Sequence, residues 1–363
     1  MRETPATRRI FIDQTHLRGH VTGIERVAMD LVASPALRSH SVREVTSSGL
    51  ISLVAWQQVG LPALGLAHRS ALIVFPGFPP APLSLALGSR CLAYIHDLFL
   101  LTRPRELNWK SRLYMAPSFA LAVRFGRRFF VNSCTTGKAL RTRCRRDALV
   151  ALLRPPVRDV FGLSDLSGPA EYRDGEPVRL LAIGTIEPRK DYGAAIAIAA
   201  ALNAGGIRTE LHIVGRTGWG EHAFLAEPPP FLTLHGYLDE AALRTLAGRC
   251  HLLISTSRAE GLGLPLLEVQ HGGLPVVAPA GEVFDEVLGE SGLFITPGEP
   301  AAAAATLATA LRSGRTREMA SRARPNVARW NALARADSGR FQAFLAQGID
   351  AYRDDPAGVV APS

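Results

Sequence analysis

Two glutamates, Glu260 and Glu268, bracket the run Gly261-Leu262-Gly263-Leu264-Pro265-Leu266-Leu267. Glycines at 261 and 263 let the backbone come close to a ligand, and Pro265 suits a first helical turn, where a missing N–H costs nothing. The free amides of such a helix start favour an anion. Carboxylates on both sides of an anion site make sense when they accept hydrogen bonds from hydroxyls, so the pattern describes a phosphate surrounded by hydroxyls, as in a nucleotide sugar. A plain strand–loop–helix junction with a solvated glutamate on each side has the same spelling, and supporting residues must come from elsewhere. Arg189 and Lys190 are adjacent cations soon after Gly184 and Thr185. On a strand-to-helix turn such a pair can clamp a diphosphate, arginine by a bidentate fork and lysine as a point charge. His96-Asp97 ends the apolar run Leu92–Ile95. The carboxyl end of a parallel strand is where open α/β sheets bind ligands.

These residues need strands to carry them and helices to cover the strands. Apolar runs at Arg9–Asp13, Arg90–Leu98, Arg128–Ser133, Val178–Gly184, Glu210–Gly215, Phe231–Leu238, His251–Ser257, which ends in hydroxyls, and Pro275–Ala278 read as buried parallel strands. Helical spacing follows several of them, at Gly23–Val32, Trp109–Val123, Thr135–Arg145, Asp239–Arg249 and Glu299–Arg312. Ile51–Trp56 and Ala71–Phe75 look like further strands, Gly281–Glu286 like a loop, and Val327 to about Leu345 like a last helix. The class is α/β, and 363 residues exceed what one core usually organises. We expect two doubly wound, Rossmann-like domains: residues 1–165, and 166–330 after a linker at Ser164–Pro177. A helix over 331–350 crosses back, and 351–363 forms a disordered tail.

Composition narrows the function further. Apolar content of 47% and charge of 20% are those of a globular chain, and neither an apolar run as long as a membrane helix nor a signal peptide is expected. A cytoplasmic location is expected. Cys91, Cys134, Cys144 and Cys250 are scattered and suggest neither a disulfide framework nor structural zinc. The net charge of +9 gathers between Arg103 and Arg158. A cationic stretch of this kind suits nucleic acid, an acidic substrate or an anionic membrane surface, or is simply a solvated arginine face. Nucleic acid is disfavoured because no recognition motif or interleaved aromatics accompany the arginines. Peripheral attachment to the inner face of the plasma membrane is the alternative kept open. The face of the Trp109–Val123 helix with Leu113, Tyr114, Phe119 and Leu121 reads as core or as a membrane-lying surface.

The run from Glu260 to Glu268 resembles the paired-glutamate motif of retaining glycosyltransferases of the GT-B fold, glycosyltransferase family 4 (GT4). Glu187-Pro188-Arg189-Lys190 resembles that family's basic turn, His96-Asp97-Leu98 its His-Asp-Leu strand, and Thr22-Gly23-Ile24 its first glycine turn. The sequence departs from the pattern at Glu25, where many members have glycine, at Thr185, and in the Gly281–Glu286 loop. The resemblance implies a cleft between two domains and transfer with retention at the anomeric carbon. It implies donor contacts at Gly23, Gly184, Thr185, Arg189, Lys190, Tyr237, Glu260, Gly261, Leu262, Gly263, Leu264 and Glu268. Glu260 would support the sugar, Glu268 the ribose, His96 the reacting centre, and Asp97 would orient or act on the acceptor. No cofactor or metal is expected, since Asp-x-Asp is absent from the sequence; Lys190, Arg189 and the helix start would stabilise the leaving diphosphate. GDP-mannose and a glycan or lipid-linked oligosaccharide acceptor in bacterial polysaccharide assembly lead the expectations, with UDP-hexose or dTDP-deoxyhexose compatible. A nucleotide-sugar epimerase and a non-catalytic scaffold are the alternatives.

Overall fold

Runs of Ile, Val, Leu and Phe that are apolar at successive positions can be buried on both faces only inside a parallel sheet covered by helices. Two such sheets form in the computed structural model, which describes residues 8–17, 23–107 and 109–361. The chain divides into two compact units, one ending at Pro156 and resuming at Ala332, the other Val157–Asn331.

The first unit has six parallel strands: β1 (Arg9–Asp13), β2 (Ser41–Val45), β3 (Leu72–Phe75), β4 (Cys91–Ile95), β5 (Arg128–Val131) and β6 (Leu149–Leu152). Their order is β2-β1-β3-β4-β5-β6, so the winding direction reverses between β1 and β3. The second unit repeats the plan with β7 (Val178–Ile183), β8 (Thr209–Val214), β9 (Leu232–Gly236), β10 (Leu252–Ile254), β11 (Val276–Pro279) and β12 (Gly292–Ile295). Here the order is β12-β11-β10-β7-β8-β9, and the reversal lies between β7 and β10. At each reversal the loops leaving neighbouring strands diverge and open a crevice at the strands' carboxyl ends. Layers of Leu, Val and Ala cover both faces of the second sheet, with Trp330 fully buried on one of them.

Several expectations change. Ile51–Trp56 is helical, part of an uninterrupted run Leu50–Ala67 that a π turn at Trp56–Gly60 joins together. This run is 18 residues long and, by length and composition, apolar enough to cross a membrane, contrary to the reading that no segment is. Its inner side, Leu53, Gln57 and Leu61, is packed into the first unit. Glu282–Leu288 is a helix where a loop was expected, with Val283, Phe284, Val287 and Leu288 in the core. The last long helix starts at Arg315, well before Val327, and runs through Pro325 to Gln347. It gives its residues up to Asn331 to the second unit and the rest to the first. The junction falls after Pro156, ahead of the expected linker, because Leu163 and Leu166 already pack in the second core. The tail is ordered as far as it is described: Val359 bridges Ala151, and Val360 N–H donates to the Val150 carbonyl at 3.0 Å. All four cysteines are free, Cys91 and Cys250 buried.

Candidate active site

The crevice between β7 and β10 gathers most of the residues singled out above. After β7 the chain turns at Gly184 with φ of 145°, and a Cβ there would sit 3.0 Å from Lys190 Cε. Glycine is what lets the lysine side chain cross its own turn. A 3-10 turn, Pro188–Lys190, then ends in Asp191 with φ of 48°, in the left-handed region. The loop after β10 is stitched to it. Thr256 Oγ1 donates to the carbonyls of Lys190 and Asp191 at 3.1 and 2.8 Å, and Arg258 N–H donates to the Arg189 carbonyl at 2.8 Å. Arg258 Nε also reaches Asp191 Oδ2 at 2.8 Å.

These crosslinks aim two cations at one carboxylate. Lys190 Nζ donates to Glu260 Oε1 at 2.6 Å, and Arg189 Nη1 to Glu260 Oε2 at 2.8 Å. Arg189 Nη2 also pairs with buried Glu187. Burial by itself would raise the Glu260 carboxyl. Lys190 and then Arg189 more than offset that, with a Ser257 hydrogen bond, and hold it at about 2. Lys190 and Glu260 line an open pocket with Ser255, Thr256, Ser257, Tyr192, Gly263 and Pro265. A cation pair with hydroxyls around it can receive a polyanion carrying further hydroxyls.

The glycine loop is built as the spacing suggested, with a shorter helix. Gly263 has φ of 78° and precedes Leu264–Glu268, one and a half turns that tighten into a 3-10 turn at Val269–Gly272. So short a helix contributes local amides more than a long dipole. Leu262 is buried in the core and Leu264 packs against it, so their side chains are structural and only their backbones can meet a ligand. Glu268 is buried at the helix end, outside the pocket lining. Thr185 is exposed beside Gly184. Tyr237, past the end of β9, is exposed, and the Arg216 guanidinium lies over its ring at 4.9 Å. Ser255, Ser257 and Tyr192 are site residues the sequence reading missed. The hydroxyls following the apolar run of β10 were the available signal.

In the first unit the residues at the strand ends form a separate cluster. His96 Nε2 is 2.7 Å from the Pro76 carbonyl, so Nε2 carries the proton and Nδ1 is the nitrogen that can accept one. Burial is the main cause that lowers this imidazole to about 4, so it is neutral near pH 7. Asp97 Oδ1 accepts from Phe99 N–H at 2.9 Å, a local turn leading into the short helix Phe99–Thr102. Asp13, unremarked in the sequence, ends β1 fully buried and accepts from the Thr15 amide and hydroxyl at 3.0 and 2.6 Å. His16 is buried against Gly77, where a Cβ would come within 2.4 Å of its ring. Gly23 begins the helix Gly23–Val32; the preceding loop residues 18–22, Thr22 among them, lie outside the described residues. Among the described residues no group of three or more His, Cys, Asp or Glu is arranged to hold a metal ion.

Residues 169–327, nearly all of the second unit, match the family model for glycosyl transferases group 1. The second unit is a group 1 glycosyltransferase domain. Over the whole chain the fold is GT-B: HepE of Anabaena, solved in complex with UDP and glucose, superposes with a TM-score of 0.61 at 17% identity, covering 95% of this chain and 99% of that one. Serotype-specific mannosyltransferase WbdA of Escherichia coli is 32% identical over 126 residues, 33% of this chain and 15% of its own length. The O-antigen chain mannosyltransferase B of Escherichia coli is 29% identical over 179 residues, 48% of this chain and 45% of its own. The chain therefore spans less than half the length of either curated relative. The group 1 domain holds Arg189, Lys190, Glu260 and Glu268; His96 and Asp97 lie outside the matched residues.

Proposed function

We propose that this protein is a retaining, metal-independent glycosyltransferase of polysaccharide assembly that moves a hexose from a nucleotide sugar, with GDP-mannose the leading donor. The observation that carries the reading is the ion-paired trio Arg189, Lys190 and Glu260, of which Lys190 and Glu260 line a pocket bearing hydroxyls, placed where the second sheet reverses its winding. The donor's diphosphate takes the two cations, and the Glu260 carboxylate it displaces turns to the hydroxyls of the sugar. The bond from the anomeric carbon to the diphosphate oxygen breaks while the acceptor oxygen bonds to that carbon from the same face. The acceptor's proton passes to the departing phosphate oxygen, so no separate base is needed. Lys190 and Arg189 stabilise the charge that develops on the leaving group, which is where fixed cations accelerate a transfer.

Mannose is supported by two relatives described as mannosyltransferases, and UDP-glucose is the competing donor because HepE has also been solved with it. The acceptor is read as a glycan or lipid-linked oligosaccharide, with His96 Nδ1 available to a hydroxyl and Asp97 on the acceptor side. A thermal-shift series against GDP, UDP, dTDP and ADP sugars, run in chelator, tests the donor half. One nucleotide should raise the midpoint, and Lys190→Ala should abolish the rise. A shift that appears only with added divalent metal, or that survives Lys190→Ala, contradicts the reading.

A further inference from the structure

The first unit exposes an apolar surface that the transferase reading does not use. The helical run Leu50–Ala67 contains no charged residue. Its inner residues Leu53, Gln57 and Leu61 are buried, while Leu50 is 65% exposed, Ile51 88%, Val59 61% and Leu66 59%. Both sides of this helix are therefore apolar, and its exposed side lacks the polar face usual for a surface helix. The helix Trp109–Phe125 lies alongside, since Tyr114 Oη donates to Gln57 Oε1 at 3.2 Å. It too lacks a carboxylate, and it exposes Leu113, Leu121 and Phe125 next to the exposed cations Arg112 and Arg124. Arg69 is exposed just past the end of the first helix.

We propose that these two helices form a docking surface for an anionic phospholipid bilayer, lying in its headgroup region rather than crossing it. Crossing would require tearing Leu53, Gln57 and Leu61 from the sheet. Gln57 Nε2 donates to Thr15 Oγ1 at 3.0 Å inside the fold, so the inner side is committed. Lying flat, the exposed Leu, Ile, Val and Phe side chains enter the acyl boundary, and the arginines meet lipid phosphates. Arginine beside apolar groups, without an acid in either helix, complements anionic lipid better than it complements a second copy of itself, where like charges would meet. This surface stands on the first unit alone and does not depend on the donor or the chemistry.

The test is co-sedimentation of the full chain with vesicles of phosphatidylcholine, and with the same vesicles containing phosphatidylglycerol, at low and high salt. The expected result is binding to the anionic vesicles that weakens with salt. The double variant Ile51→Asp, Val59→Asp should lower binding by about tenfold or more, since it removes two apolar anchors and adds repulsion. Its unfolding midpoint should stay unchanged because both sites are exposed. Arg112→Glu with Arg124→Glu should abolish the preference for phosphatidylglycerol. The proposal is overturned if the wild type does not sediment with anionic vesicles, or if the Asp variant binds them equally well. It is overturned as well if light scattering shows a wild-type dimer that the Asp variant converts to monomer, which would assign this face to a second copy.

Discussion

At the scale of single residues, the site is organised around an internal counter-ion. Glu260 neutralises the cations that a diphosphate would need. Ligand and carboxylate therefore compete, and Glu260→Gln should bind GDP or UDP more tightly than the wild type while losing transfer. Close, partly desolvated charge pairs couple by roughly 1.5 kcal/mol or more, so calorimetry should show about a tenfold lower Kd for the nucleotide. Unchanged or weaker binding would show that the carboxylate is not in the anion's place. His96 makes a different prediction, about stability. Its folded value of about 4 lies below the ordinary 6.5 of histidine. The unfolded chain therefore takes up a proton as pH falls below 6.5 while the folded one does not, and stability declines from pH 6.5 down to about 4. His96→Gln should flatten that part of the profile, read by urea unfolding at pH 7 and pH 5. An equal slope in both proteins would contradict it.

At the scale of elements, the long helix Arg315–Gln347 packs Phe341 and Phe344 against Phe130 of the first unit and sets one buried carboxylate beside Arg154. Asp337 Oδ2 accepts from Arg154 N–H at 3.1 Å and from Arg154 Nη1 at 2.8 Å, and Asp337 Oδ1 accepts from Arg340 at 2.9 Å. Asp337→Ala leaves a buried guanidinium without its counter-charge, and denaturant unfolding should show a loss of about 3–5 kcal/mol. A cost below about 1 kcal/mol would mean that water replaces the carboxylate.

The same scale shows what could be read in advance. Strands at Val178–Ile183 and Thr209–Val214 were legible because their apolar runs end in glycine, as were the cap at Asp239 and the Gly-x-Gly-x-Pro junction. Ile51–Trp56 was not. A short apolar run spells strand and buried helix alike, and only its continuation through Gln57 to Ala67 separates them. The last helix, expected from Val327, begins at Arg315 and runs through Pro325, a residue that ordinarily breaks a helix. The site divided in the same way. Arg189, Lys190 and Glu260 announced themselves by type and spacing, whereas the crosslinks of Thr256 and Arg258 join residues more than sixty apart in sequence.

At the scale of the whole molecule, the doubling of the fold was visible in the repeated alternation of strand and helix, while the ordering of the tail was not. Asp355 to Ala361 carries the turn formers Pro356 and Gly358 and no apolar side chain larger than valine, but Val360 fits against Gly137, and Arg141 Nε donates to its carbonyl at 2.7 Å. The two hydrogen bonds of Val360, its buried side chain and the Arg340–Asp355 ion pair at 2.8 Å hold it. Ending the chain after Asp354 should therefore cost roughly 1–3 kcal/mol and lower the melting of the first unit by several degrees. The nucleotide response of the second unit should persist. A truncated chain that melts unchanged would show that the tail's contacts are incidental.

The helix that begins in one unit and finishes in the other also has a consequence for how the protein is made. On the ribosome, residues 157–331 emerge complete before the pieces from Ala332 onward that the first unit needs. The unit encoded first must then wait, with Asp337 and Val360 still to arrive, while the unit encoded second can already close around Trp330. Folding order is then expected to run opposite to birth order, leaving the earliest residues longest in need of whatever shelters a nascent polypeptide; ribosome-stalled chains ending near residue 340 should show a protease-resistant second unit and a sensitive first one.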